Sequence, residues 1–133
     1  TGAIHDPKPL LDAIPGTPVI LQTGAPRQAL GPSDRAVIDV SGDISDFHDL
    51  AAALSVLDAV VTADGPVAHL AAMLGVRTFV LVGVDRPWFW TGVDGRTPWY
   101  PTARALYQQP DGSWSAAIAA LAEATAEMQV MTP

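Results

Sequence analysis

Two residues set the chemical question. Asp64 ends an apolar run, and His69 stands inside the Ala/Leu-rich stretch that follows, with Gly65 and Pro66 between them: "VVTADGPVAHLAAMLG", Val60 to Gly75. An imidazole at this place can donate to a phosphate or sugar oxygen. Gly65 lets a ligand approach the backbone closely, and Pro66 suits the first turn of a helix, where its missing N–H costs least. That first turn offers unpaired N–H groups and the positive end of the helix dipole, a ready site for a phosphate. The same residues also make an ordinary helix start, because Asp is a common N-cap and Pro a common first helical residue.

Positioning Asp64 and His69 requires a strand that ends at one and a helix that carries the other. "AVVTA" (Ala59–Ala63) reads as the strand and Pro66–Leu74 as the helix, closed by Gly75 at a left-handed C′ position. Around this unit the chain repeats the pattern. "VILQT" (Val19–Thr23), "AVIDV" (Ala36–Val40) and "TFVLVG" (Thr78–Gly83) read as further strands, and a short helical stretch is expected around Pro9–Ala13. Ser45 or Asp46 can cap a helix through Leu57, with Phe47, Leu50, Leu54 and Leu57 on one face. A last helix is expected from Ser113, as N-cap, to Met128, with Trp114, Ile118, Leu121 and Met128 covering the sheet and residues 129–133 fraying. "GAPRQALGPSD" reads as a loop. Strands that are apolar throughout and alternate with helices imply an α/β fold. The expectation is a Rossmann-like parallel sheet with helices on both faces, in one domain spanning residues 1–133. Ligands of such sheets bind outside the carboxyl ends of the strands, where Asp64 lies.

Composition narrows the function classes. The 133 residues are 49% hydrophobic, enough for a core, and carry a formal net charge of −7. That charge argues against nucleic acid as a partner. No run approaches the roughly 18 apolar residues of a membrane span. There is no cysteine, so disulfide and thiolate chemistry are excluded, and a bacterial cytoplasm fits. Asp43, Asp46, His48 and Asp49 resemble a metal cluster but read better as a solvated helix start. Residues 85–109 hold three of the four Trp and three of the seven basic residues. Trp88, Trp90, Trp99 and Tyr100 there suit either base or sugar stacking or a folded-back loop over the sheet edge.

"LDAVVTADGPVAHLAAMLGVRTFVLV" resembles the C-terminal, nucleotide-sugar-binding domain of the heptosyltransferase-like glycosyltransferases, especially the bacterial version that follows tetratricopeptide repeats. The family motif reads roughly Asp-Thr-x-x-x-His-Leu-Ala-x-x-Leu-Gly, matched by Asp64, His69, Leu70, Ala71, Leu74 and Gly75. "DFHDLAAALSVLD" and "PWFWTGVDGRTPWYPTARALYQQPDGSW" extend the likeness, which runs from about Val19 to Met128. It implies one half of a GT-B architecture, with the donor diphosphate held here and the acceptor-activating base in another domain. On that basis Asp64, Gly65, Pro66, His69, Arg104 and Trp88 are the expected ligand-binding residues. No catalytic residue, metal or cofactor is assigned to this chain, and the nucleotide sugar is a substrate. The isolated chain is expected to be inactive without its acceptor-side or N-terminal domain.

The departures from the motif are chemical. Its Thr is Gly65 and the next position is Pro66, which has no N–H; two family arginines are Phe89 and Tyr107. A diphosphate needs paired donors, and Arg86, Arg96 and Arg104 are the cations left nearby. These losses support an alternative, a non-catalytic interaction module that keeps the fold without the diphosphate. The family's first strand, which lies mid-sheet, also has no clear counterpart before Pro7, where the chain reads "TGAIHD".

Overall fold

The computed structural model of the chain describes residues 6–23 and 35–130. Along them run α1 (Lys8–Ala13), β1 (Val19–Ile20), β2 (Ile38–Asp39), α2 (Phe47–Ser55), β3 (Val60–Ala63), α3 (Pro66–Met73), β4 (Thr78–Val82), β5 (Ala103–Tyr107) and α4 (Ser115–Val130). Three 3-10 turns, Ser41–Asp43, Trp88–Trp90 and Val93–Gly95, punctuate the connections. The expected loop at residues 24–34 and the last three residues lie outside the described part. Gln129 and Val130, expected to fray, are helical.

The fold is mixed α/β. β3, β4 and β5 form a parallel sheet in that order, with Val61 opposite Phe79 and Phe79 opposite Arg104. β1 and β2 form a separate parallel pair, Val19 opposite Ile38. All five residues of β4 are buried, as a central strand covered on both faces requires.

Side chains alternate across the sheet and feed two helix layers. On one face Val80, Val82, Ala103 and Ala105 pack with Ala68 and Ala72 of α3 and with Trp90. On the other, Phe79, Leu81 and Leu106 pack with Ala117, Leu121 and Ala124 of α4 and with Leu10 and Ile14 of α1. A third cluster joins α2 to α3 through Leu50, Leu54, Val60 and Ala71. The small Ala68, Ala71 and Ala72 let α3 lie close on the strands.

Other elements differ from expectation as well, and the last helix starts at Ser115 rather than directly after Ser113. β1 and β2 are each two residues long, because pairing stops after Ile20 and Asp39. Phe47 is exposed rather than inward, since the buried stripe of α2 begins at Leu50. β5 was not expected as a strand: its sequence "ARALY" is short, follows two prolines and carries Arg104 at its second position.

Candidate functional site

The strand-to-helix corner is built as follows. Asp64 N donates to Leu81 O at 3.1 Å and so extends the β3–β4 ladder by one rung. The chain then turns through Gly65, the N-cap, and Pro66 occupies the first helical position. Gly65 O accepts from Ala68 N (3.1 Å) and His69 N (3.4 Å). Asp64 does not cap α3. A Cβ added to Gly65 would meet nothing within 4 Å, so the space in front of this glycine is open. At the far end Gly75, with φ +75°, closes the helix in the left-handed conformation its position suggested.

The Trp-rich segment folds back over this corner. Trp90 is fully buried, and its indole Nε1 donates to Asp64 Oδ1 at 2.6 Å. Tyr107 Oη, at the end of β5, donates to Trp90 O (2.5 Å), and Thr97 Oγ1 donates to Phe89 O (2.9 Å). His69 lies against three rings, with centroids 5.1 Å from Phe89, 5.0 Å from Trp90 and 5.6 Å from Tyr100. Its Nδ1 is hydrogen-bonded to Tyr100 Oη at 2.9 Å. Asp64 and His69 therefore each give one polar atom to the segment that follows β4. Among the described residues Asp64 Oδ2 and His69 Nε2 have no hydrogen-bond partner.

The aromatic group divides by burial. Trp90 belongs to the core, and Tyr100 is half-buried against it. Trp88 and Trp99 are 69% and 59% exposed and stand edge to face with ring centroids 5.7 Å apart. Such a pair presents apolar ring surface to solvent. Arg86 follows β4 with φ +39°, unusual for a residue other than glycine, and its guanidinium lies 4.4 Å from the Tyr107 ring centroid. That contact places a cation at the carboxyl end of β5. Gln108, next in the chain and 6% exposed, gives its Nε2 to Gly112 O (2.8 Å) and leaves Oε1 buried without a partner.

Of the six expected ligand residues, Asp64, Gly65, Pro66 and His69 form one corner, and Trp88 follows the neighbouring strand. Arg104 does not join them. It is the second residue of β5, three positions before the carboxyl end and opposite Phe79. It therefore leaves the sheet on the α4 face, whereas His69 and Trp90 lie on the α3 face. Arg86, which sequence reasoning placed only among nearby cations, holds the carboxyl-end position instead. The links from Trp90 to Asp64 and from Tyr100 to His69 went unread. Their only signal in sequence is the density of aromatic residues after a strand end.

The acidic group before α2 is a capping arrangement. Asp46 Oδ1 accepts from Asp49 N (2.8 Å), while Asp49 Oδ2 accepts from Ser45 N (3.0 Å) and Ser45 Oγ (2.6 Å). The bonds from Ser45 hold the Asp49 carboxyl below its ordinary value of 3.8. Among the described residues no three His, Asp or Glu side chains are grouped to hold a metal ion, and no helix is long and apolar enough to cross a membrane. No protein-family model matches this chain, and no curated protein or solved structure shows significant similarity to it.

Proposed function

We propose that this chain is the nucleotide-sugar-binding half of a GT-B glycosyltransferase-like protein of the bacterial cytoplasm. Paired with an acceptor-side domain, it transfers a sugar from a nucleoside diphosphate. One observation carries the reading: Asp64 with the open start of α3 and the Arg86 guanidinium lie at the carboxyl ends of parallel strands, and the segment that follows β4 carries the exposed Trp88 ring. In this arrangement Arg86 takes a phosphate oxygen and the α3 start faces the diphosphate. Trp88 stacks the base or sugar. His69 Nε2 reaches a donor oxygen while Tyr100 fixes its ring. The resemblance to the heptosyltransferase-like family points to the same ligand. The acceptor-activating base belongs to the partner domain, so this chain alone holds a donor and transfers nothing.

Calorimetry with ADP, UDP, GDP and their sugars tests the proposal. The expected result is one site for one nucleotide, with affinity lowered at least tenfold by Arg86→Ala and by Trp88→Ala. Gly65→Thr, which restores the family's hydroxyl into open space, should tighten it. No heat with any of these ligands would sink the reading.

The second reading, an interaction module without a ligand, is favoured by the bonds that Trp90 and Tyr100 already make to Asp64 and His69. It expects Gly65→Thr to create no nucleotide binding. It also expects substitutions at the exposed Trp88 and Trp99 to abolish the module's biological role, while His69→Ala changes only stability.

A further inference from the structure

Two of the seven basic residues stand side by side, away from the Asp64 corner. Arg96 bridges Arg104 in antiparallel fashion, so the segment after β4 returns along the outer edge of β5. The ladder fixes how close the two are. Thr78 N donates to Thr102 O and Gln108 N to Val82 O, so the main-chain groups of the even-numbered residues of β5 point to β4. Those of Ala103 and Ala105 point to the outer edge, where Gly95 and Thr97 flank Arg96. Arg96 and Arg104 therefore form the kind of antiparallel pair that exchanges no hydrogen bonds. In such a pair the α-carbons are about 4.5 Å apart and the side chains lie closest. Residues directly opposite share a face. Arg104 leaves the sheet on the α4 face, and Arg96 does so with it.

Both side chains are exposed. Among the described residues neither guanidinium has a hydrogen-bond or ion-pair partner, and Glu123 and Glu127 of α4, the helix on that face, pair with neither. Like charges set directly opposite destabilise a sheet. A chain with 14 acidic residues has carboxylates enough to neutralise both, yet the two positive charges stand unbalanced in a molecule of net −7.

The backbone beneath the pair is fixed. Gly95, with φ +74°, lies so near β5 that an added Cβ would sit 2.3 Å from Ala105 O. On the other side of Arg96, Thr97 is buried, and its Oγ1 donates to Phe89 O (2.9 Å) and accepts from Trp99 N (3.3 Å). Arg104 is held in the β4 ladder opposite Phe79. The two side chains thus start from set points, which lowers the cost of ordering them around one ligand.

We infer that Arg96 and Arg104 together clamp a phosphate group. Guanidinium forks match phosphate oxygens in bidentate geometry. A phosphate monoester carries about −1.5 to −2 charge at pH 7, which balances both arginines, whereas a single carboxylate leaves one of them unbalanced. The clamp lies on the α4 face and the Asp64 corner on the α3 face, so the inference stands without the nucleotide reading. Free phosphate and a phosphoserine side chain present the same chemistry, and the test separates them.

The test is a nuclear magnetic resonance titration of the side-chain Nε–H signals of Arg96 and Arg104 in the 133-residue chain, at constant ionic strength. Inorganic phosphate is expected to move both signals along one saturating curve, and acetate is not. Arg96→Gln and Arg104→Gln each replace an exposed side chain, so the fold is kept, and each should weaken phosphate binding at least tenfold, read on the arginine that remains. In Arg86→Ala, which removes the cation of the nucleotide corner, the curve should be unchanged. A short peptide carrying phosphoserine is titrated in parallel. Binding tenfold tighter than inorganic phosphate assigns the phosphate to a modified protein, and equal or weaker binding assigns it to a small molecule; either outcome supports the clamp. The inference is overturned if phosphate does not saturate, if acetate saturates equally, or if Arg96→Gln leaves the affinity unchanged. Loss of the curve in Arg86→Ala also overturns it, since the phosphate would then sit at the nucleotide corner.

Discussion

Trp90 and Tyr100 convert a potential ligand site into a partly self-satisfied one. The Trp90 indole bond to Asp64 joins a buried donor to an exposed carboxylate. Trp90→Phe keeps most of the ring and loses the donor, and water can solvate the freed carboxylate. The expected cost is about 1.5 kcal/mol, at the low end for a hydrogen bond to a charged group. Trp90→Ala also empties the core between α3 and the sheet and should cost about 3–5 kcal/mol. Urea denaturation of the two variants separates the terms, and near-equal costs would show that the hydrogen bond rather than the packing dominates. The Asp64–His69 spacing was legible because it is local: a strand end and one helical turn fix it. Their partners were not, since Trp90 and Tyr100 lie 26 and 31 residues further on. Only tertiary folding brings such distant residues into contact. Arg104 was misleading for a related reason: its place in a motif says nothing of which sheet face its side chain leaves from.

Among the elements, α2 shows how local chemistry sets a boundary. Asp46 accepts from Asp49 N while Asp49 reaches back to Ser45, a reciprocal arrangement like a capping box. Asp46→Ala should therefore cost about 1 kcal/mol of stability. The Asp49 carboxyl is held below 3.8, so in the folded state it stays ionised further into acid than in the unfolded chain. Its contribution is present above the ordinary carboxylate value and is lost as pH falls through the depressed one. Asp49→Asn should accordingly narrow its stability gap to the parent chain as pH drops below about 3.9. Circular dichroism melts from pH 7 to pH 2.5 check this, and a gap that widens in acid would refute it. β5 is the opposite case, a strand specified by its neighbours. Gly95 sits at φ +74° with its α-carbon against the strand, where an added Cβ would lie 2.3 Å from Ala105 O. Gly95→Ala should cost at least about 2 kcal/mol through backbone strain and this clash. A thermal midpoint within a degree of the parent would show that the turn relaxes freely.

At the scale of the whole molecule, the doubly covered sheet was legible in advance, because β3 and β4 read as continuous apolar runs separated by a helix. β1 was only partly legible: "VILQT" announces a five-residue strand, but pairing with β2 stops after Ile20. Charge acts at this scale too. The chain carries a net −7, and the proposed ligand is an anion. The nearby cation, Arg86, attracts a diphosphate over a few ångströms, while the molecule as a whole repels it over the Debye length. That length falls from about 30 Å at 0.01 M salt to about 10 Å at 0.1 M. Added salt therefore screens the long-range repulsion before it weakens the contact at Arg86. The association rate of the preferred nucleoside diphosphate should rise across this range, the reverse of a ligand steered in by an opposite field. Stopped-flow quenching of tryptophan fluorescence, with Trp88 exposed beside the site, measures it directly. A rate that falls with salt would mean that the Arg86 corner focuses a positive potential strong enough to overcome the acidic surface.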